Sequence, residues 1–136
     1  MKVYFFSEEN DYVFKEKKNF KNVVKLIGEK EKKEFQNINI ILCSDNYLLN
    51  INRKYLKRNY LTDIITFPNT AENISGDIFI SIDRIKENAV IFKVPFINEL
   101  KRVLIHGILH LCGYEDYNDD QKSNMTKKED YYLNFF

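Results

Sequence analysis

The chain has 136 residues, and its 21 basic and 20 acidic side chains give a formal net charge of +1. Apolar residues make up 44% of the sequence and charged residues 30%, which is typical of globular proteins and excludes intrinsic disorder. A charge this close to zero does not by itself indicate nucleic-acid binding. We expect residues 1–136 to form a single domain, because two separate cores would need a longer chain.

Three features of the sequence predict a cytoplasmic protein that does not associate with membranes. The longest uncharged apolar run, Val103–Leu111, is interrupted by His106 and His110 and is too short to span a bilayer. The segment Met1–Glu9 reaches acidic residues too early for a signal peptide. Two cysteines are too few for a disulfide scaffold, so we expect a reducing compartment.

Hydrophobic periodicity predicts the element order β-α-β-α-β-β-α-α-α. Strands are predicted at Lys2–Phe6, Asn37–Cys43, Ile64–Phe67 and Ile78–Ile82, and helices at about 16–33, from Ser44 or Asp45 to Leu56, and at roughly 83–93, 97–112 and 119–133. We expect Pro68 to end the third strand, and the short polar loop Asn69–Ser75 to join two antiparallel neighbours. The predicted fold class is α/β (α+β), a small mixed four-stranded sheet packed against about five helices.

The helix predicted at 97–112 carries most of the functional signal. Apolar side chains cover most of its circumference, which predicts a helix buried on nearly all sides. One polar stripe remains, formed by Glu99, Arg102, His106 and His110. Because buried polar groups need partners, we expect this stripe to face a cleft, an ion or a polar network.

His106 and His110 are the only two histidines, and their i and i+4 spacing lets both imidazoles reach one ion. Gly113 suits a left-handed helix end, which would bring Glu115 or Asp116 back past the same face. Three protein ligands and an open position suit a metal ion that activates water. The competing interpretation is a pair of hydrogen-bonded core histidines, but their position on the single polar stripe favours a metal site.

Position 107 restricts the chemistry of this site. Zinc peptidases with the pattern His-Glu-x-x-His place their general base directly after the first histidine. This chain has Gly107 there, which cannot act as a base. We identify no separate base, and the expected catalytic group is a metal-bound water.

Three blocks of sequence match a known pattern across nearly the whole chain. Residues His106–Asp116 read His-Gly-Ile-Leu-His-Leu-Cys-Gly-Tyr-Glu-Asp, against a signature His-Gly-x-Leu-His-Leu-x-Gly-Tyr-Asp-His. Leu61–Pro68 is similar to the block Thr-Asp-Val-Leu-Ser-Phe-Pro, and Gly76–Ile80 to a Gly-Asp-Ile strand. In order and spacing, these blocks resemble the YbeY family of metal-dependent endoribonucleases.

The resemblance implies a single-strand-specific endoribonuclease that acts in ribosomal RNA maturation, at the 3′ end of 16S rRNA, and in ribosome quality control. It implies RNA and the small ribosomal subunit or its assembly factors as partners, and we expect a monomer. The implied cofactor is one Zn²⁺, or another divalent transition metal, held by His106, His110 and the residue six beyond, Asp116.

The sequence departs from the family pattern at two positions. Asp116 stands where the family usually has a third histidine, and aspartate is a competent zinc ligand. The competing interpretation is that Asp116 caps the following helix. Leu56 stands where the family commonly has a basic residue, and the adjacent Lys57 and Arg58 are candidates to replace it.

Five other polar residues are candidates for supporting roles. Arg53, Lys57 and Arg58 lie in a basic stretch that contains no acidic residue. They either bind phosphate groups near the site or form a solvated helix end. Glu99 and Arg102, on the polar stripe, are expected to support the metal ligands.

Two other functions remain alternatives. A metallohydrolase acting on peptides or small molecules would need a free carboxylate beside the ion, and Gly107 counts against it. A non-catalytic ribosome-associated module with a structural metal would need four protein ligands. Glu115 is the neighbour that could complete such a shell.

Overall fold

The computed structural model describes residues 1–70 and 73–136, and its elements follow the predicted order. The strands are β1 (Lys2–Glu8), β2 (Phe35–Cys43), β3 (Ile64–Thr70) and β4 (Ile74–Ser81). The helices are α1 (Lys17–Glu31), α2 (Asp45–Leu56), α3 (Ile82–Phe92), α4 (Phe96–Leu111) and α5 (Asp119–Leu133). The predicted fold class is confirmed. Within the described ranges, no helix has the length and apolar character needed to cross a bilayer.

The four strands form one mixed sheet with the order β1-β2-β4-β3. β1, β2 and β4 are parallel, and β3 runs antiparallel to β4 as predicted. Of the loop predicted at 69–75, Ala71 and Glu72 lie outside the described residues. This order makes β3 an edge strand, next to the end of α2.

Three predicted strands were too short at one end, because β1 continues to Glu8, β2 begins at Phe35 and β4 begins at Ile74. Two further predicted boundaries, at Pro68 and Ile82, were wrong for reasons that the structure shows. Pro68 does not end the third strand, because β3 continues to Thr70 and Pro68 pairs opposite Gly76. Proline lacks an N–H donor, but an edge strand has one side without a neighbouring strand and so tolerates it. Ile82 begins α3 and does not end β4, because the Ser81 side chain caps that helix.

The core lies mainly between one face of the sheet and helices α1, α4 and α5. Ile38 and Ile40 of β2, with Ile78 and Ile80 of β4, are fully buried there. The opposite face carries a smaller cluster in which α2 packs on the sheet. α4 therefore lies within the larger core, which matches the burial predicted from its sequence.

Gly107 allows α4 to approach the sheet closely. A Cβ at this position would lie 3.0 Å from Ile64 Cδ1 and 3.0 Å from two atoms of Ile78, which is tighter than ordinary packing. The position after the first histidine thus faces β3 and β4. The polar stripe of α4 lies on another side of the helix, where Arg102, His106 and His110 line a cleft and Glu99 is buried.

Candidate metal centre

The turn after α4 brings the chain back across the polar stripe. Gly113 has a φ of 103°, the left-handed conformation that the sequence predicted. The Gly113 amide donates to the His110 carbonyl at 3.0 Å, and the Tyr114 amide donates to the Leu109 carbonyl at 3.1 Å. The next helix begins with Asn118 as its cap, so Asp116 does not have the capping role.

Three side chains converge at this turn. The Nε2 atoms of His106 and His110 are 2.9 Å apart, and Asp116 Oδ2 lies 3.4 Å from the first and 3.6 Å from the second. A tetrahedral zinc site with ligands at about 2.0–2.2 Å separates its ligand atoms by about 3.3–3.6 Å. The two distances to Asp116 Oδ2 lie within this range, whereas the two Nε2 atoms are about 0.4 Å closer together than the range requires. Glu115 is outside this group, so of the two acids that the sequence left open, Asp116 is the one that joins the histidines.

The hydrogen bonds of the two imidazoles determine which ring nitrogens are free. His110 Nδ1 is 2.8 Å from the Tyr114 carbonyl oxygen, and because a carbonyl only accepts, Nδ1 carries the proton. His106 Nδ1 is 2.6 Å from Glu129 Oε2 and donates to that carboxylate. Both Nε2 lone pairs therefore face the Asp116 carboxylate. Three acceptors that meet in this way repel one another unless a cation lies between them, so this donor set fits a metal ion.

A network of buried charges lies behind His106. Arg102 Nη1 donates to Glu129 Oε1 at 3.0 Å, and Arg102 Nε and Nη2 donate to the two carboxylate oxygens of Glu99 at 2.9 and 2.6 Å. Glu99 and Glu129 are each only 2% exposed. The hydrogen bonds from Arg102 to Glu99 raise the pKa of the Arg102 guanidinium. Glu99 and Arg102 connect to His106 through Glu129.

Sequence reasoning missed Glu129, although its position carried a signal. α5 is largely polar, and its buried residues are Met125, Glu129 and Tyr132. Met125 and Tyr132 mark the face of the helix that packs on the core. A glutamate on that same face has to find a partner, and this would have indicated a polar contact with the rest of the core.

The His106–His110–Asp116 cluster borders a cleft of about 600 Å³. Residues from the end of α2, from β3, from α4 and from the turn after it line this cleft. Arg58 and Leu56 lie in its wall, whereas Arg53 and Lys57 are not among the lining residues. Arg53 Nε instead donates to Asn59 Oδ1 at 2.5 Å. Of the three predicted basic residues, the structure brings Arg58 to the cleft.

Two tyrosines and one aspartate also line the cleft. Tyr60 is 53% exposed and Tyr117 is 79% exposed, so both rings are accessible from solvent. Asp63 accepts a hydrogen bond from Asn88 Nδ2 at 3.2 Å, and burial raises the pKa of its carboxyl. The cleft therefore combines an arginine and open aromatic rings with the three converging acceptors.

We compared the sequence of the chain with known protein families and with individual proteins. The family model described as Endoribonuclease YbeY matches residues 5–136. The protein named Endoribonuclease YbeY from Karelsulcia muelleri (strain GWSS) is 52% identical over 117 residues, which cover 85% of this chain and 83% of that protein. The protein of the same name from Flavobacterium psychrophilum is 48% identical over 132 residues, which cover 96% of this chain and 94% of that protein.

The fold is also similar to a solved structure. The solution structure of TM1509 from Thermotoga maritima has a TM-score of 0.70 and 30% sequence identity to this chain. The similarity covers 96% of this chain and 87% of that one. These matches confirm the resemblance found in the three sequence blocks. The chain belongs to the endoribonuclease YbeY family.

Proposed function

We propose that this chain is a metal-dependent endoribonuclease that cuts single-stranded RNA during ribosomal RNA maturation, at the 3′ end of 16S rRNA, and in ribosome quality control. Residues 1–136 act as a single catalytic domain and as a monomer in the cytoplasm. The partners are RNA and the small ribosomal subunit or its assembly factors. The observation that carries this proposal is the convergence of two Nε2 atoms and one carboxylate oxygen beside a cleft.

His106, His110 and Asp116 would hold one zinc ion through these atoms. In sites of this composition, zinc lowers the pKa of a bound water and polarises a phosphoryl oxygen. Among the residues that the structure describes, the His106–His110–Asp116 cluster contains three protein donors, and all three line the cleft. An arrangement with three donors favours a site with room for substrate over a closed structural site with four protein ligands.

The remaining residues of the cleft have roles that suit RNA. Arg58 can bind a phosphate of the backbone, and Glu129 and the Tyr114 carbonyl hold the two imidazoles in place. The exposed rings of Tyr60 and Tyr117 can stack on unpaired bases, which are accessible only in single-stranded RNA.

The peptidase alternative is disfavoured by the surroundings of position 107. A side chain there would meet Ile64 and Ile78 of the sheet, and Gly107 is not among the residues that line the cleft. The glutamate base of a zinc peptidase therefore has no equivalent at this place. The family relationship supports RNA as the substrate, since the relatives are named endoribonucleases.

The test measures metal content and cleavage together. Protein purified without chelator should contain about one zinc per chain and should cut a single-stranded fragment that spans the 3′ end of 16S rRNA, but not the same fragment annealed to its complement. His110→Ala should lose both the zinc and the cleavage. Full zinc content in His110→Ala would contradict the site, and wild-type protein that contains zinc but leaves the single strand intact would contradict the activity.

A further inference from the structure

We infer that Glu129 is a positioning residue of the metal centre, which fixes the ring orientation and the tautomer of His106. The inference rests on the proposed function, because it concerns how the protein prepares His106 to bind zinc. Glu129 lies on α5, whereas both histidines lie on α4, so the role joins two helices.

Glu129 uses its two carboxylate oxygens for two different donors. Oε2 accepts from His106 Nδ1 at 2.6 Å, and Oε1 accepts from Arg102 Nη1 at 3.0 Å. The side chain of Glu129 is 3% exposed, so water cannot readily replace either donor. With its Nδ1 proton held by this carboxylate, His106 presents the lone pair of Nε2 to the cleft.

Arg102 holds Glu129 in this position and is itself held on two sides. Its guanidinium makes a two-point interaction with Glu99, with N–O distances of 2.9 and 2.6 Å. The ring of Phe92 lies 5.9 Å from Arg102 Cζ. The direction of the guanidinium is therefore fixed, and the carboxylate that bonds to it is fixed as well.

The formal charges of this network point toward a cation at His106. Glu99 and Glu129 are both buried and share the single guanidinium of Arg102, which leaves one formal negative charge. A buried charge without a counter-charge is destabilising. A metal ion bound to Nε2 of His106 would balance this negative charge through the imidazole ring. His110 differs in this respect, because its Nδ1 meets the neutral carbonyl of Tyr114.

The substitution Glu129→Gln tests this role, because glutamine has one acceptor oxygen where glutamate has two. If that oxygen accepts from Arg102, the amide NH₂ faces His106 Nδ1, which must then accept a hydrogen bond. The proton moves to Nε2 of His106, the nitrogen that would bind the metal. We expect the zinc affinity, measured by competition with a chromophoric chelator, to fall about 10- to 100-fold.

The control is Glu16→Gln, which removes the same charge. Glu16 also accepts from a cation of α4, Lys101 Nζ at 3.0 Å, but it belongs neither to the Arg102 network nor to the contacts of a histidine. We expect this variant to bind zinc within about threefold of the wild type, a change well below that of a lost ligand-supporting contact. Equal weakening of zinc binding in both variants would overturn the inference, since bulk charge and not the contact to His106 would then explain the effect.

Nitrogen-15 NMR of the zinc-free protein provides a readout that does not depend on activity or on the metal. In the wild type, the His106 ring should carry its proton on Nδ1, and in Glu129→Gln the signal should shift toward the Nε2–H form. A wild-type His106 protonated on Nε2, or a zinc affinity unchanged in Glu129→Gln, would overturn the inference. Wild-type protein that binds no zinc would contradict the proposed function instead. If the wild type binds no zinc, or if Glu129→Gln does not fold, the nitrogen-15 spectrum of the wild-type His106 ring alone decides whether Glu129 fixes the tautomer.

Discussion

Two carboxylates, Glu31 and Glu129, each link α5 to another part of the molecule, and their surroundings differ. Glu129 is buried, whereas the side chain of Glu31 is 10% exposed. Glu31, on α1, accepts hydrogen bonds from the Tyr114 hydroxyl at 2.5 Å, from the Tyr132 hydroxyl at 2.6 Å and from Lys128 Nζ at 3.0 Å. The lysine supplies the opposite charge, and the two hydroxyls need no further partner. This cluster is complete within the fold.

The cluster around Glu129 is not complete in that sense. Its donors are Arg102, which is shared with a second glutamate, and His106, whose other ring nitrogen faces the cleft. One network closes on itself and stabilises the packing of three elements, whereas the other ends on a histidine at the surface of a cleft. A buried carboxylate is therefore a candidate for a functional role when its chain of partners leads to an accessible ring nitrogen.

The largest effect, a loss of zinc affinity, is expected when a donor is removed from the His106–His110–Asp116 cluster. Asp116→Asn replaces a carboxylate by a neutral amide, which is a much poorer zinc ligand, and we expect the zinc affinity to fall by more than about 100-fold. The free energy of unfolding of the zinc-free protein should hardly change, because the side chain of Asp116 is 37% exposed. Chelator competition and urea unfolding measure the two quantities.

The control for this prediction is Glu115→Gln. Glu115 also lines the cleft but is outside the group of converging donors, so its variant should bind zinc like the wild type. An Asp116→Asn protein with wild-type zinc affinity would show that the metal does not use this carboxylate.

Substitution in the cluster around Glu31 should instead change the free energy of unfolding. Glu31→Gln leaves one acceptor for three donors, and we expect a loss of about 2 kcal/mol in the free energy of unfolding at neutral pH. Glu29→Gln removes the same charge from an exposed position of the same helix and should change stability by less than about 0.5 kcal/mol. Similar stabilities of the two variants in urea would contradict the role of the Glu31 cluster.

The contribution of Glu31 should also depend on pH. Burial raises the pKa of its carboxyl, but the hydrogen bonds from Tyr114, Tyr132 and Lys128 outweigh burial and lower the pKa below its usual value. A group with a lowered pKa stabilises the folded state above its unfolded-state pKa, and this stabilisation is lost as the pH falls through the folded-state pKa. The stability difference between wild type and Glu31→Gln should therefore shrink between about pH 5 and pH 3. If the stability difference measured by urea unfolding stays constant across this range, the charged carboxylate of Glu31 is not the form that stabilises the fold.

The smallest effect concerns RNA binding at the wall of the cleft. Arg58→Glu should weaken RNA binding and reduce the slope of affinity against salt by about one unit, because one phosphate contact is lost. Arg53→Glu makes the same charge change at a residue that does not line the cleft, and it should leave the slope nearly unchanged. Binding isotherms at several salt concentrations compare the two. Identical slopes in the two variants would assign both residues to the solvated surface.

The element order and the convergence of His106, His110 and Asp116 could be predicted from the sequence because local patterns determine them. The spacing of His106 and His110 on an otherwise apolar helix, and the glycine that follows, define both the ligand face and the reversal of the chain. These features depend on residues within eleven positions of one another. Reasoning from the residues alone left two neighbouring acids, Glu115 and Asp116, as candidates for the third donor, because the turn geometry decides which of them points inward. The family resemblance singled out Asp116.

Contacts between distant elements could not be predicted in the same way. Glu129 reaches His106 only because α5 packs on α4, and helical periodicity does not specify that pairing. Pro68 remains within a strand because β3 lies at the edge of the sheet, and the order of strands in a sheet is not encoded by the strand itself. Arg53 and Lys57 were grouped with Arg58 by charge. However, α2 ends at Leu56, the next residue, Lys57, has a positive φ of 56°, and of the three only Arg58 borders the cleft.

The position of Pro68 has a consequence for self-association. The outer edge of β3 carries backbone groups without a neighbouring strand, and such an edge can recruit a strand from another copy of the chain. Proline has no amide hydrogen to donate, so a foreign strand docking along β3 would meet a gap in the hydrogen-bond ladder. Pro68 also lines the cleft. The same residue therefore disfavours strand pairing at an edge that borders the cleft.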